Sequence, residues 1–306
     1  MVKNYGTFLS FFFLLTTVLQ SQEIQIFTVE DFDLKGKVKT CLVITDYGKE
    51  LFEFNENGYL AKTVTQYNDT DQDITYYKYS NGELLEKRME SYKNNVLDAS
   101  TSMANFYTID TVPQRKILEK IISYDKEFLE QQEYQYDDKN RLTKIVTSNE
   151  DGVDETTVEY TPYKNELTIS FFFNSVIEKS IRTSKRQGKN GTQKVVLTKE
   201  YIDGEPNRAV EEIYNADDKL VSKEVFRHSM DQKKFVMEQK LFYSYDSDGM
   251  LNKITTKTKN SEAVEEYIFQ FDSSEEKNWI KQIITPNNTY TTRKITYYID
   301  DETEEG

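Results

Sequence analysis

One short pattern recurs along this chain, and it limits the possible folds more than any other feature. It runs aromatic, any residue, aromatic, a polar turn residue, two or three small or polar residues, then Leu and often Lys. Its clearest copy is Tyr134-Gln135-Tyr136-Asp137-Asp138-Lys139-Asn140-Arg141-Leu142-Thr143-Lys144. Phe52-Glu53-Phe54-Asn55 leading to Gly58-Tyr59-Leu60 repeats it, as does Tyr243-Ser244-Tyr245-Asp246 leading to Gly249-Met250-Leu251. Looser copies begin at Tyr77, Tyr160, Tyr214 and Phe269, the last running on to Trp279-Ile280-Lys281. Neighbouring turn residues, such as Asn55 and Ser80 or Asp137 and Thr161, lie about 25 residues apart. Two gaps, Ser80 to Asp137 and Thr161 to Asn215, are about twice that length, so each hides a degenerate copy. Asn190-Gly191 stands where the second hidden turn belongs.

Each copy reads as a β-hairpin. Aromatics two apart share one face of a strand. Asp, Asn and Gly then supply the tight-turn and left-handed conformations that other residues resist. Leu opens a return strand of residues that favour extended backbone, as in Ile145-Val146-Thr147. One hairpin alone is marginal in water, so the row gains its stability between neighbours. The expected fold is all-β, about eight or nine antiparallel hairpins forming an extended, twisted or curved sheet, an open barrel or a spiral. Helical periodicity is scarce, and only Ser91 to Ala104 and Pro113 to Ile122 suggest short helical pieces.

The first 21 residues read as a secretory signal peptide. Lys3 gives the positive start, Phe8 to Leu19 the apolar stretch, and Ser21 a small residue at the cut. That stretch is too short to span a bilayer, which needs about 20 apolar residues. The expected organisation is therefore a signal at 1–21, a hairpin array at 22–299 and an acidic tail at 300–306, in an exported protein of the periplasm or the cell exterior. The whole chain has 306 residues with 53 acidic and 39 basic side chains, net charge -14. That balance argues against nucleic-acid backbone binding. With 22 Tyr and 18 Phe it is also no disordered acidic tail. A single Cys excludes an intrachain disulfide, and Cys41 is expected to be buried and inert.

Tyr136-Asp137 followed by Arg141-Leu142 resembles the YD repeat of the Rhs family, with Asn140 in place of the usual Gly. Tyr245-Asp246 with Gly249 and Leu251 also matches, with Met250 replacing Arg. Asp33-Leu34-Lys35-Gly36-Lys37-Val38-Lys39 and Asn278-Trp279-Ile280-Lys281 look like the two ends of short exported YD-repeat-like proteins of Bacteroidetes type. The resemblance spans roughly residues 31–300. It implies a hairpin architecture and carries over no catalytic or binding residue.

Catalytic constellations are poorly supported. The one His, His228, lies beside Arg227 and Ser229 without a nucleophile elbow, and reads as a surface side chain. A calcium loop counted from Asp69 would need Gly and Glu where Ile74 and Ser80 stand. Asn68-Asp69-Thr70 and Asn190-Gly191-Thr192 are formal glycosylation sequons. Paired carboxylates can hydrolyse a glycoside without metal, but no pair is singled out among 53 acids.

The chain is thus expected to be a non-enzymatic exported scaffold or binding protein, with no cofactor, no metal, no nucleic-acid partner and no transmembrane span. Its possible partners are a glycan, an envelope protein or a lipid. One alternative is a carbohydrate-binding or carbohydrate-active protein whose aromatics stack on sugar faces. The ligand candidates are then Tyr134, Tyr136, Tyr243, Tyr245 and Trp279, against their plainer reading as hairpin core. Another alternative is an open half-barrel shielding a lipid or lipidated peptide. The alternatives differ in which face of the sheet carries the aromatic stripe, and how much of it stays exposed.

Overall fold

In the computed structural model, which describes residues 24–188 and 191–299, the hairpin array closes on itself. The signal segment, the tail and Asn190 lie outside the described residues. A 3-10 turn, Val29–Phe32, precedes the sheet. The first strands are β1 (Val38–Thr45), β2 (Gly48–Phe54), β3 (Leu60–Gln66), β4 (Gln72–Ser80) and β5 (Glu83–Lys93). Then come β6 (Val96–Leu97), β7 (Met103–Asp110), β8 (Lys116–Ser123), β9 (Phe128–Tyr136), β10 (Leu142–Asn149) and β11 (Gly152–Tyr163). The next are β12 (Glu166–Phe173), β13 (Val176–Gly188), β14 (Gly191–Ile202), β15 (Glu205–Tyr214) and β16 (Leu220–Ser229). The last are β17 (Lys234–Tyr245), β18 (Leu251–Thr258), β19 (Glu262–Phe271), β20 (Trp279–Thr285) and β21 (Thr289–Tyr297).

Successive strands pair antiparallel around the ring, except that the two-residue β6 pairs only with β5, which also pairs with β7. β1 pairs with both β2 and β21, so twenty strands form a closed up-and-down barrel. Closure removes both sheet edges, the usual weak point of an all-β array. The curved sheet expected from the sequence is present, with its two ends joined. The two suggested helical pieces are strands: Ser91 to Ala104 spans the end of β5, β6 and the start of β7, and Pro113 to Ile122 runs into β8. In β8 the apolar residues Ile117, Leu118, Ile121 and Ile122 mimic helical spacing, yet fall on both faces of one strand. The two long gaps hold the β7–β8 and β13–β14 hairpins, the second closed by the pair Gly188 and Gly191.

The recurring turns share one geometry. In the copies at Asn55, Asp137, Asn215 and Asp246, the turn side chain accepts two backbone N–H groups, two and four residues on. The third residue after it is left-handed: Gly58, Asn140, Asp218 and Gly249 have φ of 80°, 57°, 56° and 81°. Gly adopts that conformation freely, and Asn or Asp more readily than most residues. A register shift accompanies each of these turns, leaving one residue of the hairpin without a direct partner.

Adjacent hairpins are tied by a second recurring device. Tyr79, Tyr160 and Tyr245 donate their hydroxyls to the carbonyls of Leu60, Leu142 and Leu220 on the preceding strand, at 2.8, 3.0 and 2.8 Å. The residue before each Leu packs on the same ring: Tyr59 stacks on Tyr79, while Arg141 and Lys219 lie over Tyr160 and Tyr245. Each hydroxyl bond contributes about 0.5–1.5 kcal/mol net. Tyr298 closes the series by donating to Phe54 O at 2.7 Å.

Strand register assigns every side chain to one of two walls. Ile109, Ile117, Tyr134, Ile145 and Thr156 share the inner wall by direct pairing. Lys116, Glu133, Lys144 and Glu155 lie on the outer wall, tied by the ion pairs Lys116–Glu133 and Lys144–Glu155. Packing clusters unite neighbouring strands on the inner wall, with Phe54, Leu60, Tyr136, Leu142, Tyr214 and Leu220 near the turn-bearing rim. Farther from that rim, large inner residues such as Met89, Ile121, Val210 and Ile284 stay partly exposed. Barrels of 16–18 strands already enclose an aqueous channel. This ring has twenty strands.

Candidate functional site: the inner wall

Residues 24–37 enter the barrel at the turn-bearing rim and lie along the inner wall as a strap. Leu60 N–H donates to Phe27 O, and Val29 N–H to Gly58 O. Phe32 packs tilted against Phe52 and edge-on against Phe54, and the strap's Val29 and Leu34 join Val38, Cys41 and Val43 in one cluster. Strap and last hairpins are clasped together. Trp279 Nε1 donates to Asp33 Oδ2 at 2.8 Å, and the Arg293 guanidinium lies 3.4 Å from the centre of the Trp279 ring. Arg293 also donates to Phe32 O at 3.0 Å and Asp33 O at 3.3 Å. Asn278 donates to Lys35 O and accepts from Lys35 N–H, at 2.9 and 2.8 Å. Burial pulls the Arg293 pKa down to about 10 and pushes the Cys41 thiol up to about 11. Cys41 is therefore an inert core side chain at neutral pH.

A cavity of about 270 Å³ lies between strap and wall, lined by Ile24, Phe27, Tyr77, Lys87, Tyr107 and Glu119 among others. Glu119 is buried and accepts from Asn105 Nδ2 at 2.6 Å, Tyr134 OH at 2.8 Å and Tyr107 OH at 2.9 Å. Burial, and then the adjacent carboxylate, raise the pKa of both tyrosines. Three donors occupy the carboxylate, so it holds strands together instead of offering a free acid or base.

The sequence candidates do not converge on a ligand. Tyr134, Tyr136, Tyr243 and Trp279 are 6%, 3%, 8% and 7% exposed, and none has a ring face open for a sugar. Tyr245 is half-buried with its hydroxyl held by Leu220. Burial pushes Tyr243 up to about 12. The aromatic stripe thus faces inward and is used in packing. His228 lies on the outer wall beside Phe235. Around Asp69, the Asn68 side chain accepts from Thr70 and Asp71 N–H, and Asp73 accepts from Tyr67 OH.

What sequence reading missed is the charge on the inner wall. Register places Lys179, Lys185, Lys194, Arg208, Lys223 and Arg227 inward on the four consecutive strands β13–β16. Three inward carboxylates among the described residues, Glu200, Glu205 and Glu212, accompany these six cations there. On the other strands, inward Glu50, Asp73, Glu119, Glu130, Asp154 and Glu265 outnumber the cations. Strand alternation was the available signal, but the register shifts break it at Val221 on β16 and at Glu238 on β17.

No family model matches the chain, and no curated protein matches it. Among solved structures, it is similar to a porin-like protein from Bacteroides vulgatus at 10% identity, covering 85% of this chain and 98% of that one, with a TM-score of 0.27. It is also similar to a protein of unknown function from Bacteroides fragilis at 9% identity, covering 56% and 92%, with a TM-score of 0.20. At such scores neither likeness defines a function.

Proposed function

We propose that this chain is an exported, non-enzymatic barrel that works in water as a hollow binding scaffold of the cell envelope or its surroundings, built from YD-repeat-like hairpins. The observation that carries the reading is the contrast between the two walls. The inner wall keeps aliphatic and charged side chains accessible inside a closed ring, with room for a ligand. The outer wall carries ion pairs in mid-strand, Lys240–Glu224 and Arg88–Glu90, as well as nearer the turns, at Lys62–Glu53, Lys116–Glu133 and Lys144–Glu155. A lipid-facing band would be apolar, and each Lys or Arg at a bilayer midplane costs about 2–4 kcal/mol. No helix among the described residues is long and apolar enough to cross a membrane.

A sugar-stacking site on Tyr134, Tyr136, Tyr243 and Trp279 is not favoured, because their rings are packed. A dry lipid sleeve is not favoured either, because Asp73, Asp154, Glu200 and Arg208 face inward.

Labelling tests the hollow barrel. Thr198 faces inward in the middle of β14. The Thr198→Cys variant, expressed without detergent, should be monodisperse and should react with a small charged thiol reagent at nearly the rate of an outer-wall Lys120→Cys control. Resistance of the Thr198→Cys variant with normal reaction of the control would mean a filled interior and would overturn the reading.

A further inference from the structure

The cations of β13–β16 stand in an arrangement that folding alone disfavours. Arg208 is paired directly across from Arg227, and Lys185 directly across from Lys194, all four on the inner wall. Like charges directly opposite each other destabilise a sheet. On the outer wall the comparable pair Glu211 and Glu224 is relieved by neighbours, since Glu211 meets Arg186 and Glu224 meets Lys240. Inside, relief is incomplete. Lys194 bonds Asp218, Lys223 bonds Glu212, and Arg227 bonds Glu238, each within 2.9 Å. Arg208, Lys179 and Lys185 are exposed and have no carboxylate within ion-pair distance among the described residues.

We infer that the inner wall of β13–β16 is a binding surface for an acidic polysaccharide, a polymer carrying carboxylate or sulfate groups along a thin chain. The inference rests on the hollow-barrel reading and names the ligand class of that lumen. The stripe runs from Lys194 to the level of Glu200 and Arg208, six residues along β14, or about 20 Å at strand rise. A ligand that bridges it must be extended and carry repeated negative charge. The chain as a whole has a net charge of -14, so a general attraction for anions does not account for a local basic wall.

Two observations favour a polysaccharide over single-stranded nucleic acid. The aromatic ring on this wall, Tyr214, is 6% exposed, so no platform is offered for stacking bases. The intervening inward positions include Thr183 and Thr198, whose hydroxyls both donate to and accept from sugar hydroxyls, beside the aliphatic Ile181, Val196, Val210 and Val225. Location also selects the partner, because a thin polymer can thread a ring that a folded acidic protein cannot enter.

The experiment is calorimetric titration of the full mature chain with polygalacturonate oligomers, with neutral dextran and an oligo-dT of similar length as comparisons. Polygalacturonate should bind, lose at least ten-fold in affinity between 50 and 500 mM salt, and outbind both comparisons. Arg208→Gln combined with Lys179→Gln should weaken binding at least ten-fold, while Lys120→Gln on the outer wall should leave it unchanged. The inner variant should keep about the parent's melting temperature, since Arg208→Gln relieves the contact with Arg227 while both substitutions remove a cation facing Glu200. No binding at 50 mM salt, equal loss in the Lys120 variant, or tighter binding of oligo-dT would each overturn the inference. If the Thr198→Cys variant is labelled but polygalacturonate does not bind, the ligand class fails and the hollow barrel stands. If that variant resists labelling, the barrel reading itself fails.

Discussion

The two rims of this barrel are made from the same strands but solve different problems. At the turn-bearing rim the inner wall is Phe54, Leu60, Leu84, Tyr136, Leu142, Tyr214 and Leu220, all buried. The strap and the Trp279–Arg293 clasp sit at that end. Toward the opposite rim the same strands turn inward Glu50, Asp73, Asn149, Asp154, Glu200 and Arg208. The repeat is therefore asymmetric along the barrel axis. Its recurring order of aromatic, turn and Leu concentrates cohesion in half of each hairpin. The other half need not pack, so its inner residues are free to be polar and to differ from strand to strand.

The largest expected effect comes from the packed half. Leu142 is 1% exposed, and Leu142→Ala should cost about 2–5 kcal/mol in urea unfolding. Thr147→Ala, inward on the same strand but in the polar half, should stay within about 0.5 kcal/mol. Equal costs would erase the distinction between the halves.

The clasp comes next. Trp279→Phe removes the donor to Asp33, and should cost about 1–3 kcal/mol. At the other rim Tyr67→Phe removes an exposed bond to Asp73, and should cost less than about 1 kcal/mol. Thermal melts of the two variants compare the rims directly.

A smaller effect sharpens the electrostatics of the turn-bearing rim. Arg115 grips Glu83 through two hydrogen bonds of 2.8 and 3.0 Å, holding its carboxyl below the ordinary value of 4.5. A depressed folded-state pKa stabilises above the unfolded pKa and is lost as pH falls through the folded one. Melting temperature should therefore fall below about pH 4.5 in the parent, and less steeply in Glu83→Gln. Parallel acid limbs would show that the pair does not contribute.

Much of this architecture is legible in the sequence because the turn chemistry is local. Tyr136-Asp137 and Asn140-Arg141-Leu142 name a hairpin, its left-handed residue and its register shift within seven residues. The β8 segment misled because Leu118 and Ile122 occupy the outer wall, so apolar residues follow helical spacing. Closure was not legible, since it depends on β1 meeting β21 at the far end of the chain. The basic wall was hidden for a related reason. Lys223 and Arg227 face inward only after the register shift at Tyr214 is counted.

Closure is the claim on which the lumen, the strap and the two rims all depend. Thr40 and Thr296 are direct partners across the β1–β21 seam, with their hydroxyl oxygens 2.6 Å apart. A Thr40→Cys, Thr296→Cys double variant should form an intramolecular disulfide in air, because directly opposed antiparallel positions can meet disulfide geometry. The oxidised chain, looped over most of its length, should migrate faster in a non-reducing denaturing gel and melt at a higher temperature. Two free thiols, or disulfide-linked dimers in place of the loop, would mean that the seam is open and would contradict the closed barrel.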